Sequence, residues 1–249
     1  MLFNSLEFFI FLPVVLAVYF FLSLRGQNAW LLAASYVFYG WWDWRFLGLI
    51  LVSTGVDYIV GLKLRDSFDP AHRKRLLAVS MLTNLGILGL FKYYGFFVGS
   101  LAVLLEKFGF QAHFTVLQIV LPVGISFYTF QTMSYTIDVY RRRMEPTGDL
   151  LTFALYVAYF PQLVAGPIER AHHLLPILVA RRQIRWLDIV VGFELILIGF
   201  FKKVAVADTL APIVDARFLN PSESSGLDLL ITSYLFAFLI YGDFSGYSD

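Results

Sequence analysis

The chain begins with a long apolar stretch, residues 6–24, which reads LEFFIFLPVVLAVYFFLSL. A helix needs roughly 20 apolar residues to cross the hydrocarbon core of a bilayer, and this stretch is about that long. No basic residue lies between Met1 and Leu6, and no small-residue cleavage site follows the stretch, as a secretory signal peptide would require. We therefore predict a retained first membrane span.

The composition of the whole chain agrees with this prediction. Hydrophobic residues make up 59% of the 249 residues and charged residues only 15%, against about 25% charged residues in soluble domains. The net charge of +1 gives no field that would attract a polyanion, so nucleic acid is not expected as a partner. The chain has no cysteine, which excludes disulfides, thiolate metal sites and cysteine nucleophiles.

Further apolar segments follow, and several are too short or too interrupted for simple spans. Pro122-Val123-Gly124 breaks one of them, and Pro161 with Gly166-Pro167 breaks the next. Broken helices are tolerated at membrane depth only where they are buried in protein or line a cavity. We predict an all-α, polytopic membrane protein with full and partial spans, in which the later segments are Asn28 to Trp42, Phe46 to Leu62, Leu76 to Leu105, Val116 to Tyr140, Leu150 to Pro167, Leu187 to Ala207 and Leu227 to Tyr241.

Basic residues are concentrated in three of the four polar connections. These are Lys63 to Arg75, Arg141 to Asp149 and Arg170 to Arg185, while the fourth is Asp208 to Gly226. The positive-inside rule places the three basic connections in the cytoplasm, and three passes before Lys63 then place the amino terminus outside.

Three carboxylates lie inside apolar segments, where a charge at the bilayer centre costs on the order of 2.5–3.5 kcal/mol. We expect Asp57 to reach Lys63 or the headgroup layer, and Asp138 to pair with Arg141 or Arg142 one helical turn later. Glu194 lies deeper, so we expect it to sit inside the helical bundle with a partner from another segment.

The four histidines offer few catalytic or metal sites. None starts a His-x-x-x-x-Asp motif, in which a carboxylate orients the imidazole as a base. Glu169, His172 and His173 form a local group that could bind a metal, but its place in a polar connection favours a loop or helix-cap role, so no metal is expected.

Four stretches, in order along the chain, resemble the bacterial polysaccharide branch of the membrane-bound O-acyltransferase (MBOAT) family. They are Met1 to Ser5 with Phe8 to Pro13, Leu121 to Tyr128 running on to Ile137 to Arg141, Tyr159 to Ile168, and Asp243-Phe244-Ser245-Gly246-Tyr247-Ser248-Asp249. Lys202-Lys203 through Ala207-Asp208 is a smaller match of the same kind. No single stretch is diagnostic, whereas the ordered set is specific.

The resemblance implies a ring of tilted full and partial helices around a tunnel, formed by one transmembrane domain. It also implies a catalytic histidine on the carboxyl side of the Asp243–Asp249 motif, beyond the last residue of this sequence. We therefore expect residues 1–249 to be the amino-terminal part of such a domain and to be inactive alone, and we assign no catalytic residue. The candidate cavity and motif residues are Gln131, Asp138, Pro161, Gln162, Gly166, Pro167, Glu194, Lys202, Lys203, Asp208, Asp243, Ser245, Gly246, Tyr247 and Asp249.

The function implied by the resemblance is transfer of acetyl groups from a cytosolic donor, acetyl-CoA, to an exported or cell-surface polysaccharide, as in alginate O-acetylation. The expected location is the bacterial inner membrane, and the expected partners are membrane lipid, the polysaccharide acceptor and a separate extracytoplasmic acyltransferase. D-alanyl transfer for teichoic acid is an alternative within the family. A transporter or channel is an alternative of another class, because broken helices with buried carboxylates also mark substrate pathways.

Overall fold

The computed structural model describes residues 1, 3–108, 121–163, 169–183 and 185–249, and these residues form helices and no strands. An all-α fold is therefore confirmed for the described part of the chain. The α-helices are α1 (Leu6–Phe20), α2 (Leu24–Asp43), α3 (Leu47–Asp66), α4 (Pro70–Leu88), α5 (Tyr94–Lys107), α6 (Ile125–Tyr140), α7 (Leu150–Ala158), α8 (Phe160–Leu163), α9 (Ala171–Val179), α10 (Trp186–Phe200), α11 (Asp208–Leu219) and α12 (Gly226–Ser248).

Among the described residues, three helical stretches are long and apolar enough to cross a membrane, which indicates a membrane protein. They are Leu24–Asp66, which includes α2, α3 and the 3-10 turn Trp44–Phe46, then Pro70–Lys107, and finally Gly226–Ser248. The predicted first span is a shorter apolar helix, Leu6–Phe20. The predicted ring around a tunnel stays a prediction.

The helix breaks in the sequence have a clear structural outcome. Gly124 adopts a positive φ of 75°, and α6 begins directly after it, so the break predicted at Pro122-Val123-Gly124 is confirmed. Near Pro161 the chain forms two helices, because α7 ends at Ala158 and α8 covers only Phe160–Leu163. The long segment from Leu76 to Leu105 is interrupted by a π-helical turn, Gly89–Tyr93.

Two of the predicted polar connections contain helices and were wrong in this respect. The connection Arg170 to Arg185 includes α9, which buries Leu174, Leu175 and Leu178 on one side. The connection Asp208 to Gly226 includes α11, which follows a π-helical turn and reaches Leu219. Charged residues lie close to both helices in the sequence. The short apolar face of each helix therefore does not form a continuous apolar run.

The described chain divides into two compact units. The first consists of Met1 and the described residues within 14–163 and 169–180, and the second of residues 3–13, 181–183 and 185–249. In the first unit α3 packs against α4 and α6, and α2 packs against α7. In the second unit α10, α11 and α12 pack around the π-helical turn Phe201–Ala207.

Arg73 connects three helix ends within the first unit. Its side chain is 7% exposed, and its guanidinium donates to the carbonyl oxygens of Leu64, Ser67, Val139 and Tyr140. These carbonyls lie at the ends of α3 and α6, where the last turns of a helix leave carbonyl groups without intrahelical donors. A buried cation near the negative ends of two helix dipoles is therefore well placed electrostatically.

Side-chain caps fix the starts of α4 and α7. The carboxylate of Asp69 accepts from the backbone amides of Ala71 and His72, and Pro70 occupies the first turn of α4. The Thr152 hydroxyl donates to the carboxylate of Asp149 at the start of α7, and this hydrogen bond lowers the pKa of Asp149. The cap at Asp149 lies at the predicted end of its connection, whereas the cap at Asp69 starts α4 inside the predicted connection Lys63 to Arg75.

Candidate functional site

The second unit brings together the two motif stretches that the sequence placed about 40 residues apart. Lys202 and Lys203 lie on the π-helical turn Phe201–Ala207. Asp243 and Ser245 lie in the last two turns of α12, and Asp249 follows directly as its carboxyl-terminal cap. We call these residues, with Asp208 at the start of α11, the lysine–aspartate cluster. The cluster contains most of the candidate residues from the two motifs.

Each lysine has its own polar partners. The Nζ atom of Lys203 lies 2.6 Å from a carboxylate oxygen of Asp243 and 2.8 Å from one of Asp208. The same ammonium lies 5.8 Å from the centre of the Tyr247 ring, at a distance suited to a cation–π contact. The Nζ atom of Lys202 donates to the Ser245 hydroxyl at 2.8 Å and to the carboxylate of Asp249.

Glycines allow the backbones of this unit to approach closely. A Cβ atom added at Gly246 would lie 2.8 Å from the carbonyl oxygen of Gly199, and one added at Gly199 would lie 2.6 Å from the carbonyl oxygen of Gly246. A Cβ at Gly242 would lie 3.1 Å from the carbonyl oxygen of Lys202. Gly246 of the motif therefore serves the contact between α10 and α12, which sets the distance between the lysines and the aspartates.

The helical geometry also matters for the two adjacent lysines. A π-helical turn contains an extra residue relative to an α-helix, and such turns occur frequently at functional sites. In this turn both lysines reach acceptors on α12, Lys202 towards Asp249 and Lys203 towards Asp243. The turn thus places two consecutive side chains against one neighbouring helix.

The cluster has a negative balance, because two lysines face the three carboxylates of Asp208, Asp243 and Asp249. Its charged side chains are 20–40% exposed, so the groups are neither fully buried nor free in solvent. An anionic ligand such as a phosphate would be repelled by the three carboxylates, so the cluster disfavours anionic ligands. The arrangement suits the binding and orientation of a neutral hydroxyl, which can donate to a carboxylate and accept from an ammonium.

The glutamines at the broken segments share a carbonyl group in the first unit. The side-chain amides of Gln131 and Gln162 donate to the carbonyl oxygen of Tyr156, at 2.7 Å and 3.3 Å. The Tyr156 hydroxyl donates back to the carbonyl oxygen of Gln131 at 3.1 Å. Both glutamines are buried. Pro161, the residue before Gln162, is partly exposed. Gly166 and Pro167 lie outside the described residues.

The predicted partners of Asp138 were wrong. Its carboxylate lies 3.8 Å from the guanidinium of Arg143 and 3.6 Å from Nδ1 of His172, while Arg141 and Arg142 form no ion pair with it. Helix α6 ends at Tyr140, so the following residues leave the helical path on which a one-turn spacing would apply. His173 pairs instead with Glu169 at 3.0 Å, one turn earlier.

The prediction that Glu194 lies inside the bundle was also wrong. Glu194 is exposed in the structure, and Gly199 is the buried residue of α10. Helix α10 is apolar around most of its circumference, so its sequence does not show which side packs against protein. Depth within the apolar segment was therefore a poor guide to burial.

The prediction that Asp57 reaches Lys63 or the headgroup layer was wrong. It is fully buried, and its carboxylate accepts from Ser80, Asn84 and Thr136. Lys63, its expected partner, is exposed at the end of α3. A signal was present, because α3, α4 and α6 each carry a pair of polar residues four positions apart, namely Ser53 with Asp57, Ser80 with Asn84, and Thr132 with Thr136.

Similarity to known proteins extends over the entire chain. The chain is 41% identical over 252 residues to the probable alginate O-acetylase AlgI of Azotobacter vinelandii and 40% identical over 252 residues to that of Pseudomonas aeruginosa. It is 32% identical over 281 residues to the peptidoglycan O-acetyltransferase of Helicobacter pylori. Each match includes 100% of this chain and 50%, 48% and 52% of the respective relative.

The chain therefore spans about half the length of the curated relatives it matches. A comparison with models of protein families gives no match. The similarity to proteins named as O-acetylases agrees with the resemblance that the ordered motifs indicated.

Proposed function

We propose that this protein is a membrane O-acetyltransferase that transfers acetyl groups to hydroxyls of an exported or cell-surface polysaccharide, as in alginate O-acetylation. The observation that carries the proposal is the 41% identity, over the entire chain, to a probable alginate O-acetylase. The membrane-spanning helices and the lysine–aspartate cluster are consistent with such an enzyme. The relatives described above are named for O-acetylation, which favours acetyl over D-alanyl transfer and over transport.

The lysine–aspartate cluster supports a role on the acceptor side of the reaction. Acetyl-CoA, the proposed donor, carries several phosphates, and the excess of carboxylates in the cluster disfavours these groups. A sugar hydroxyl has no charge and can donate to Asp243 or Asp249. As the hydroxyl oxygen attacks the acetyl carbonyl, the thioester C–S bond breaks and CoA leaves. The reaction needs a base that takes the hydroxyl proton and passes it to the leaving CoA thiolate, and imidazole is suited to this at neutral pH.

The proposed setting is a multi-pass protein of the bacterial inner membrane with its amino terminus outside. A cytosolic acetyl donor and an exported acceptor require that the acetyl group cross the membrane or reach a second protein. We therefore propose a separate extracytoplasmic acyltransferase as a partner that completes the modification. The support for this setting is the distribution of basic residues among the connections and the chemistry of donor and acceptor.

The function can be tested by deleting the gene and measuring acetyl esters on the extracellular polysaccharide. We expect the ester content to fall to background and to return when the gene is restored from a plasmid. Ester-linked D-alanine should be measured in the same samples and should not change. Unchanged acetyl content in the deletion strain, or loss of D-alanyl esters instead, would contradict the proposal.

The topology can be tested with single cysteines, because the chain has none of its own. Glu145→Cys places a thiol in an exposed position of a basic connection, and Asn4→Cys places one near the amino terminus. We expect a membrane-impermeant maleimide to label Asn4→Cys once the outer barrier is opened, and Glu145→Cys only after the inner membrane is permeabilised. Labelling of Glu145→Cys in sealed cells at the rate of Asn4→Cys would refute this topology.

A further inference from the structure

A second polar site lies in the first unit, where α3, α4 and α6 pack together. Helices α3, α4 and α6 each contribute two polar residues one turn apart, and all six are 0–1% exposed. We call this set the Asp57 cluster. Its members are Ser53, Asp57, Ser80, Asn84, Thr132 and Thr136.

The hydrogen bonds of the cluster are directed towards one carboxylate. Ser80 and Thr136 donate their hydroxyl hydrogens to Oδ1 of Asp57, the latter at 3.2 Å, and the Asn84 amide donates to Oδ2 at 2.7 Å. Donors from two neighbouring helices thus meet both oxygens of the carboxylate. Hydrogen bonds donated to both oxygens favour the ionised form of this carboxylate.

The orientation of Asn84 is itself fixed by the cluster. Ser53 donates to Oδ1 of Asn84, and Thr132 contacts the same oxygen at 3.3 Å. With its oxygen held by two hydroxyls, Asn84 must turn its NH₂ group towards Asp57. Ser53 and Thr132 therefore hold the Asn84 amide as a donor to Asp57.

No ion pair in the described residues neutralises this charge. Arg73, on the same helix as Ser80, uses its guanidinium on carbonyl groups at helix ends. Asp57 lies at the middle of α3, which is part of the apolar stretch Leu24–Asp66. An isolated carboxylate at such a place is costly and is a mark of an ion or proton pathway or site.

We propose that the Asp57 cluster is a binding site for a monovalent cation, Na⁺. Carboxylate and hydroxyl oxygens are the ligands that hard cations prefer, and Asp57, Ser80 and Thr136 supply them from three helices. Each of these hydroxyls keeps lone pairs after donating its hydrogen, and Oδ2 of Asp57 keeps acceptor capacity beside the hydrogen bond from Asn84. A bound Na⁺ supplies the missing positive charge and joins α3, α4 and α6.

The test is Na⁺ binding and thermal unfolding of the whole protein purified in detergent. NaCl is exchanged for KCl or choline chloride at constant ionic strength, and binding is followed with radioactive ²²Na⁺. We expect Na⁺ to raise the midpoint of unfolding by roughly 5–10 °C at about a hundred times its dissociation constant, and choline to have no effect. Asp57→Asn should abolish both ²²Na⁺ binding and the shift.

Two further variants keep the test decisive if Asp57→Asn folds poorly. Ser53→Ala leaves the carboxylate in place but releases the Asn84 amide, so Na⁺ binding should weaken by roughly tenfold. Asp138→Asn removes a carboxylate of α6 that already has basic partners, and it should keep the full Na⁺ response. Equal stabilisation by choline, an Na⁺ response that survives Asp57→Asn, or stability that depends on pH but not on Na⁺ would overturn the proposal.

Discussion

Gly199→Ala is expected to destabilise the protein strongly, although alanine favours helices. Ala stabilises a helix by about 0.8–1.0 kcal/mol relative to glycine when nothing else changes. At Gly199, however, the new Cβ atom would lie 2.6 Å from the carbonyl oxygen of Gly246. The obstacle is backbone, which cannot rotate away as a side chain can, so α10 and α12 must separate. Overpacking of this kind costs about 1–3 kcal/mol or more.

Gly192→Ala is the matched control on the same helix. No atom lies within 4 Å of a Cβ added at Gly192, so this variant should be as stable as the parent or slightly more stable. Thermal unfolding in one detergent should therefore show shifts of opposite sign for the two variants. If both alanine variants shift the midpoint equally, the close approach of α10 and α12 at Gly199 is not present in the folded protein.

The loss of contact should extend to the lysine–aspartate cluster. Gly246 lies between Ser245 and Tyr247, and all three are in the motif that faces Lys202 and Lys203. A displacement of α12 by one ångström or so changes these polar distances directly. We therefore expect Gly199→Ala to lower acetylation even at a temperature where the variant remains folded.

Sequence reasoning predicted the elements of this fold better than their pairings. Apolar runs indicated the long helices, and proline with glycine indicated where α6 begins and where α7 ends. The motif stretches around Lys202 and Asp243 were identified as candidates without any indication that they touch. A contact between residues about 40 positions apart depends on how two helices cross. The glycines that allow this crossing have no side chain, so they contribute nothing to the apolar and polar pattern from which contacts are predicted.

The charged residues show why burial was harder to predict than helix position. Asp57 and Glu194 both lie inside apolar helices, yet Asp57 is fully buried and Glu194 is exposed. The difference is that Asp57 has a polar residue one turn before it and matching polar pairs on two other helices. Glu194 has an apolar residue, Val190, at the position one turn before it. Polar periodicity along a helix was thus the informative signal.

Lys203→Met is expected to reduce acetylation of the polysaccharide by about tenfold or more in cells that lack the chromosomal gene. The ammonium of Lys203 holds the carboxylates of Asp208 and Asp243 on two helices, and without it these like charges repel each other. A misplacement of about 1 Å in a site that orients a reacting hydroxyl lowers the rate by roughly a hundredfold in the most sensitive cases. Acetyl ester per unit of protein in the membrane is the quantity to measure.

Three variants separate a functional role of the cluster from a purely structural one. Lys107→Met removes an exposed lysine of α5 and should leave acetylation unchanged. Asp243→Asn keeps the size of the side chain but removes its charge, so thermal stability should change little while acetylation falls, because the weaker acceptor orients a hydroxyl less well. The double variant Lys203→Met with Asp243→Asn relieves the repulsion and should recover stability relative to Lys203→Met, but it should not recover acetylation. Full activity of Asp243→Asn, or recovery of activity in the double variant, would limit the cluster to holding α12 against the π-helical turn.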